Sequence, residues 1–350
     1  MFSPKTVFVV GAGASCEIGL PIGNALRDRI IEMTYFDRNS GFSNRNFELA
    51  VHRKCENNQS LWQHVHIALQ QLRLGLVNVA SIDTYLDIHR GNEAMIAVGK
   101  MAIVIAILEA ERNSAFFSKF KLPTQTRDDI VFSFGGNEKY DASWYVHFGR
   151  LLTQNVTLEN VDSIFDNVSF ITFNYDRCIE TFAFEWLKQT FGLPENRAAE
   201  IASKLEVLHV YGSVGSPPWK GGDVPFGLDY GADFPALAEG IKTFTESADS
   251  ATVETIRNRI VAAETLVFLG FGWLPQNLDI LDTGQVSNAK RVFFTSRGVS
   301  QTDRETVRAD LAHLLQKRVL HEQGAPCRAF EERDTCADLF QNNWRQLTRA

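Results

Sequence analysis

Four segments of the chain combine glycine with polar residues at the point where an apolar run ends. The first, VFVVGAGASCEIG, begins at residue 7. Gly11 and Gly13 allow the backbone to approach a pyrophosphate closely, and the Ser15 hydroxyl can donate a further hydrogen bond. The segment therefore predicts a phosphate-binding loop. A tight strand-to-helix turn without a ligand is the alternative interpretation.

The spacing of this loop disfavours two common nucleotide-binding classes. Cys16 stands where the dinucleotide fingerprint GxGxxG has its third glycine, and no strand after the first predicted helix ends in a ribose-binding acid. No lysine follows the loop at the spacing of a P-loop. The pattern is therefore typical of neither NAD-dependent dehydrogenases nor P-loop NTPases.

The other segments place polar side chains after further apolar runs. Asn174 and Asp176 follow one such run in ITFNYDRCIE, where they either cap the next helix or face a ligand. His209 and Tyr211, in VLHVYGSVGS, are two residues apart in a predicted strand, so we expect them to share a face. A histidine in a strand is more often structural than catalytic. The fourth segment, FLGFGWLPQNLDIL at 268–281, is another apolar run that enters a glycine turn.

The elements around these segments alternate between strand and helix. The predicted strands are 6–10, 169–173, 207–211, 265–269 and 291–295, and the predicted helices are 24–35, 61–112, 142–155, 176–189, 250–263, 301–317 and 335–347. This alternation predicts an α/β protein with a Rossmann-like, doubly wound parallel sheet and a large helical insertion. The four glycine or polar turns should then meet at the carboxyl edge of the sheet.

We expect a single domain over residues 1–350. It would consist of a helical insertion at 24–160, the remainder of the Rossmann-like core at 161–300 and C-terminal helices at 301–350.

Composition narrows the functional classes. The net charge of −7 disfavours non-specific binding to nucleic acid. The N-terminus lacks the features of a signal peptide, and the apolar stretch 94–110 carries Lys100 at its centre, which predicts a buried helix and no membrane span. The five cysteines are widely spaced, which predicts no zinc site and reduced thiols in a cytoplasmic protein.

The order of the motifs resembles that of SIR2-like (sirtuin-related) domains. GAGAS, FNYD, an aromatic-Gly-Ser turn, and FLGFG with a following Asn-Leu occur in that order over residues 5–296. The chain lacks the four-cysteine zinc module of sirtuin deacylases and has Pro-Ile-Gly at 21–23 in place of their Pro-Asp-Phe-Arg segment. In these respects it is similar to the zinc-free bacterial branch that hydrolyses NAD, many members of which act in anti-phage defence.

The resemblance implies roles for particular residues. The family's catalytic histidine directly precedes Gly-Ser, where this chain has Tyr211, so His209 is expected to act as the base, with Tyr211 as the alternative. The expected catalytic residues are Asn174, Asp176, His209 and Tyr211. The expected NAD-binding residues are Gly11, Ala12, Gly13, Ser15, Gly212, Ser213, Gly270, Gly272, Thr295 and Ser296.

We therefore expect an NAD⁺ hydrolase (NADase) that releases nicotinamide and ADP-ribose without a metal and depletes NAD in anti-phage defence. Its control is expected to come from homo-oligomer formation or a regulatory partner protein, with no direct contact to nucleic acid or membrane. Two alternatives stay open. One is a sensor that binds NAD or ADP-ribose without catalysis, and the other is a zinc-free deacylase or ADP-ribosyltransferase.

Overall fold

The computed structural model contains a seven-stranded parallel sheet and describes residues 2–37, 41–56, 58–120, 129–132, 137–244, 246, 249–320 and 324–349. The strands in these ranges are β1 (Thr6–Val10), β2 (Phe36–Asp37), β3 (Gly41–Phe42), β4 (Phe117–Phe120), β5 (Asp129–Phe132), β6 (Val168–Thr172), β7 (Glu206–His209), β8 (Thr265–Leu269), β9 (Arg291–Thr295), β10 (Val319–Leu320) and β11 (Cys327–Glu332).

Helices connect these strands. They are α1 (Ala12–Cys16), α2 (Gly23–Met33), α3 (Arg45–Lys54), α4 (Gln59–Gly75), α5 (Ile82–Ile88), α6 (Glu93–Arg112), α7 (Glu138–Asp141), α8 (Trp144–Leu152), α9 (Cys178–Phe191), α10 (Glu195–Ala202), α11 (Phe234–Glu239), α12 (Ser250–Ala262), α13 (Pro275–Leu281), α14 (Gln301–Leu314) and α15 (Cys336–Thr348). Short 3₁₀ turns occur at Leu76–Asn78, Val161–Ser163 and Pro218–Lys220.

The main sheet has a topological switch point beside β1. Its strand order is β10-β11-β9-β8-β1-β6-β7, and every neighbouring pair is parallel. From β1 the chain first adds β6 and β7 on one side, and later adds β8, β9 and β11 on the other. Ligands of such sheets bind outside the carboxyl ends of the strands at the point where the direction reverses, which here lies between β1 and β8.

Both faces of the sheet are buried, which confirms the doubly wound, Rossmann-like fold. Val7 and Val9 of β1 contribute to one core, together with helices α2–α6 and α11–α14. Phe8 and Val10 contribute to the opposite core, together with α7–α10 and α15. Since neither face meets solvent, the central strands consist of nearly continuous apolar residues, and this is why their positions could be predicted.

The C-terminal region differs from the expectation of helices alone. The strands β10 and β11 extend the sheet there, with β11 paired to β9. The sequence of β11, CRAFEE, has only Cys327 and Ala329 fully buried and contains three charged residues, so it lacks a continuous apolar run. Two antiparallel strand pairs, β2–β3 and β4–β5, also occur within the region expected to be a helical insertion.

Helix α6 confirms the prediction of a buried helix with a charge at its centre. The Lys100 ammonium lies 2.6 Å from a carboxylate oxygen of Glu246 at the helix surface. Nowhere in the described ranges is a helix both long and apolar enough to traverse a bilayer.

Candidate active site

A buried polar cluster lies where β1 and β6 end. The Asn174 side-chain amide donates to the Ser15 hydroxyl at 3.1 Å, and that hydroxyl donates to Asp176 Oδ2 at 2.9 Å. All three residues are 8 % exposed or less. Because β1 and β6 are parallel neighbours, the residues that follow them reach the same edge, as the sequence predicted.

Asp176 makes two contacts where α9 begins. Its Oδ1 accepts a hydrogen bond from the Cys178 backbone N–H at 3.1 Å, at the start of α9, while Oδ2 faces Ser15. The carboxylate therefore accepts from the N–H of the first residue of α9 and also belongs to the polar cluster, whereas the N-cap residue itself is Arg177.

Both ring nitrogens of His209 have hydrogen-bonding partners at the edge of this cluster. Its Nδ1 lies 3.1 Å from the backbone oxygen of Asn174, and its Nε2 lies 2.9 Å from Glu180 Oε1. The side chain is 12 % exposed. Burial lowers the pKa of His209, but the charge and hydrogen bond of Glu180 outweigh this effect and leave the pKa above its usual value. Burial in turn raises the pKa of Glu180, but His209 outweighs it and the pKa falls below its usual value.

These shifts predict how the pair stabilises the fold as pH changes. The contribution of His209 is complete below its ordinary pKa of 6.5 and is lost as pH rises through the higher folded value. The contribution of Glu180 is complete above 4.5 and is lost as pH falls through the lower folded value. We expect His209→Asn to lower the free energy of unfolding by about 1–3 kcal/mol at pH 5.5 and by clearly less at pH 9, measured by urea unfolding. An equal loss at both pH values would contradict this prediction.

Tyr211 contacts a different part of the molecule, so the expectation that it shares a face with His209 is wrong. Strand β7 ends at His209, and the chain turns immediately afterwards. The Tyr211 hydroxyl donates to Asn277 Oδ1 of α13 at 2.7 Å, and its ring packs against Phe173. The alternation of side chains along a strand no longer applies once the strand has ended.

A cleft of about 470 Å³ opens at the switch point of the sheet. It is bordered by residues that follow β1, β8, β9 and β11, the strands on this side of the sheet. The lining residues are Gly13, Cys16, Glu17, Ile22, Gly270, Phe271, Thr295, Arg297, Val299, Asp334, Thr335 and Cys336. Its volume is within the range of small-molecule sites, about 300–1,000 Å³.

Two glycine turns pack directly against each other on one wall of the cleft. The Gly13 N–H donates to the Gly270 carbonyl at 3.1 Å. A Cβ at Gly270, which has a φ of +54°, would lie 2.1 Å from the Ala14 nitrogen, and a Cβ at Gly11 would lie 2.6 Å from the Gly270 oxygen. The contact between the two turns is therefore enough to explain why glycine is needed at these positions, without any ligand. Gly13 and Gly270 nevertheless border the cleft.

The remaining expected binding residues fall into two groups. Thr295 borders the cleft, and its hydroxyl accepts from the Gly270 N–H at 2.8 Å. Ala12, Gly212, Ser213, Gly272 and Ser296 are not among the lining residues. Of these, Ser296 donates to Glu331 at 2.7 Å, and Gly212 and Ser213 lie against Gly240.

Glu17 and Arg297 are two of the cleft residues that the sequence analysis did not predict. The Glu17 carboxylate accepts from the backbone N–H groups of Trp144, Cys336 and Ala337, and so joins the first turns of α8 and α15. Burial raises the pKa of Glu17. Arg297 is exposed at the cleft, and its guanidinium forms no ion pair with a residue in the described ranges. Its position directly after FFTS is the only sequence feature that points to it.

A buried ion pair adjoins the polar cluster, because Arg177 directly follows Asp176 in the chain. Arg177 and Glu111 are 1 % and 0 % exposed, and their closest nitrogen and oxygen are 2.5 Å apart. Arg177 also donates to the carbonyls of Val224 and Pro225, and Glu111 accepts from the Gly227 N–H. These bonds join α6, the start of α9 and the long loop after β7.

No model of a known protein family matches this chain, and a search of the curated proteins likewise finds no match. Among the described residues, no group of three or more histidine, cysteine, aspartate or glutamate side chains is placed to hold a metal ion. All five cysteines are free thiols.

Proposed function

We propose that this chain binds NAD⁺ across the cleft and the polar cluster and hydrolyses its nicotinamide–ribose bond. The observation that carries this proposal is that the two sites adjoin. Gly13 borders the cleft, and Ser15 belongs to the cluster two residues later. Phe271 also borders the cleft, and its ring packs 5.1 Å from that of Phe173, which precedes Asn174.

The cleft would hold the adenosine and pyrophosphate of NAD⁺. Arg297 supplies an exposed cation that forms no ion pair within the part of the chain that the structure describes, and arginine pairs well with phosphate oxygens. The nicotinamide ribose would then reach the cluster around Asn174 and Asp176.

The expected reaction is NAD⁺ + H₂O → nicotinamide + ADP-ribose + H⁺. Nicotinamide leaves as a neutral molecule and needs no general acid, so the main barrier is the positive charge that develops on the ribose, as in glycoside cleavage. The Asp176 carboxylate would stabilise this charge, and the Asn174 amide would orient the attacking water. The proton would leave with the solvent.

Access to the cluster requires movement. Asn174 and Asp176 are buried, and the ring of Phe173, which directly precedes Asn174, packs against those of Phe271 and Tyr211. A conformational change that admits the substrate is common in enzymes and offers a point of control. Together with the resemblance to SIR2-like proteins, this supports a cytoplasmic NADase in anti-phage defence, activated by self-assembly or by a partner protein.

A second candidate is a sensor that binds NAD or ADP-ribose without cleavage. The geometry of His209 favours it, because both ring nitrogens already have protein partners. The presence of Tyr211 at the place of the family's catalytic histidine also favours it.

One experiment separates these functions. Purified protein is incubated with NAD⁺, nicotinamide is followed by chromatography, and ADP-ribose binding is measured by calorimetry. Nicotinamide release supports the hydrolase, and ADP-ribose binding without release supports the sensor. The absence of both would exclude both.

The role of the cleft can be tested at Arg297. We expect Arg297→Gln to weaken ADP-ribose binding about tenfold, because a charge-assisted hydrogen bond contributes roughly 1.5 kcal/mol or more. Arg333→Gln is the matched control, since Arg333 is exposed, lies near Glu331 and does not line the cleft. Equal affinities of wild type and Arg297→Gln would show that the cleft does not hold the phosphates.

A further inference from the structure

The bonds of His209 determine where its protons lie. Its Nδ1 faces the backbone oxygen of Asn174, which can only accept, so Nδ1 carries a hydrogen. Its Nε2 faces Glu180 Oε1 at 2.9 Å, and a bond there also requires a proton between the two atoms. Both ring nitrogens are therefore occupied by protein partners.

The surrounding charges favour this second proton on the histidine. Asp176 faces His209 and favours a cationic ring, and Lys220 faces Glu180 and favours a carboxylate. Both effects favour an imidazolium–carboxylate pair, and the two side chains have little exposure to water.

We propose that Glu180 is a positioning residue, which keeps His209 as an imidazolium clamp on the Asn174 carbonyl and prevents it from acting as the general base. This inference rests on the proposed NAD⁺ hydrolysis. Asn174 is then fixed at three points, because its N–H also donates to the Thr172 hydroxyl at 3.2 Å and its side chain donates to Ser15. These restraints hold its amide group in one orientation at the cluster.

Glu180 has a second effect on the reaction. A lone imidazolium beside the ribose would oppose the positive charge that develops there. The paired Glu180 carboxylate cancels this repulsion, so that the charge of Asp176 remains effective. Loss of Glu180 should therefore lower kcat more than it changes KM.

The two roles of His209 predict opposite pH profiles. A general base acts when neutral, so activity would fall on the acid side as His209 becomes protonated. A clamp acts when protonated, so activity would fall on the alkaline side. We expect the wild type to lose activity on the alkaline side, and Glu180→Gln to move this loss to lower pH by one unit or more, with KM little changed. Glu185→Gln, on the same helix and paired with Lys188, is the matched control.

Nitrogen-15 NMR of the histidine rings provides a readout that does not depend on catalysis. The His209 signals, assigned by their loss in His209→Asn, should be those of an imidazolium at pH 7. A neutral ring at pH 7, or an activity loss confined to the acid side, would overturn the proposal. If the ring is protonated but NAD⁺ is not cleaved, the pair is supported as a structural clamp, and only the hydrolase function fails.

Discussion

Asp176→Asn is expected to lower kcat for NAD⁺ cleavage by about 1,000-fold while leaving the fold and the binding of ADP-ribose nearly unchanged. The substitution preserves the size of the side chain, and an amide oxygen can still accept from the Cys178 N–H at the start of α9. It removes the negative charge that would stabilise the positively charged ribose. Nicotinamide release under single-turnover conditions measures the chemical step directly.

The matched control is Asp166→Asn. Asp166 is exposed and lies just before β6, at the opposite edge of the sheet from the polar cluster. It should retain wild-type activity. If Asp176→Asn kept more than a tenth of the wild-type rate, the carboxylate would not be the group that stabilises the transition state.

The second large effect is expected at the buried ion pair. We predict that Glu111→Ala lowers the free energy of unfolding by about 3–5 kcal/mol, because Arg177 is left as a buried cation without its counter-charge. The Gly227 N–H loses its acceptor as well. Urea unfolding of the purified variant measures this loss.

A double variant separates the penalty of an unpaired charge from a general loss of packing. Glu111→Leu combined with Arg177→Met should recover part of the loss, though the carbonyls of Val224 and Pro225 would still lack their donor. Glu200→Ala, which removes a surface ion pair with Arg197, should leave the free energy of unfolding nearly unchanged. A similar small loss in Glu111→Ala would show that the buried pair is not needed for stability.

The strands near the switch point could be predicted because burial on both faces leaves a simple pattern. β1, β8 and β9 begin and end at the predicted residues. Their parallel order then brings the ends of β1 and β6 together, so the contact of Ser15 with Asn174 and Asp176 followed from the fold class.

The partners of the polar residues could not be predicted in the same way. Glu180 lies 29 residues before His209, on α9, and only the packing of this helix beside β7 brings the two together. The residue at which β7 ends also depends on local contacts. Because the strand ends at His209, Tyr211 contacts a different part of the molecule. Such contacts depend on register and helix rotation, which residue spacing alone does not specify.

The glycine loop can be interpreted only together with the residues that surround it in the structure. In the sequence, Gly11 and Gly13 suggested that a phosphate approaches the backbone closely. In the structure, the turn at Gly270 packs so closely against the loop that it already requires glycine at these positions. What favours a nucleotide is the cleft beside these turns, and part of its wall comes from residues 334–336 after the unpredicted strand β11.

A crystal structure of the protein with ADP-ribose tests most directly whether the cleft and the polar cluster form one dinucleotide site. We predict density for the pyrophosphate beside Gly13 and Arg297, with the terminal ribose next to Asn174 and Asp176 and the ring of Phe271 or Tyr211 displaced. ADP-ribose bound elsewhere on the molecule, or no density at a saturating concentration, would contradict the account.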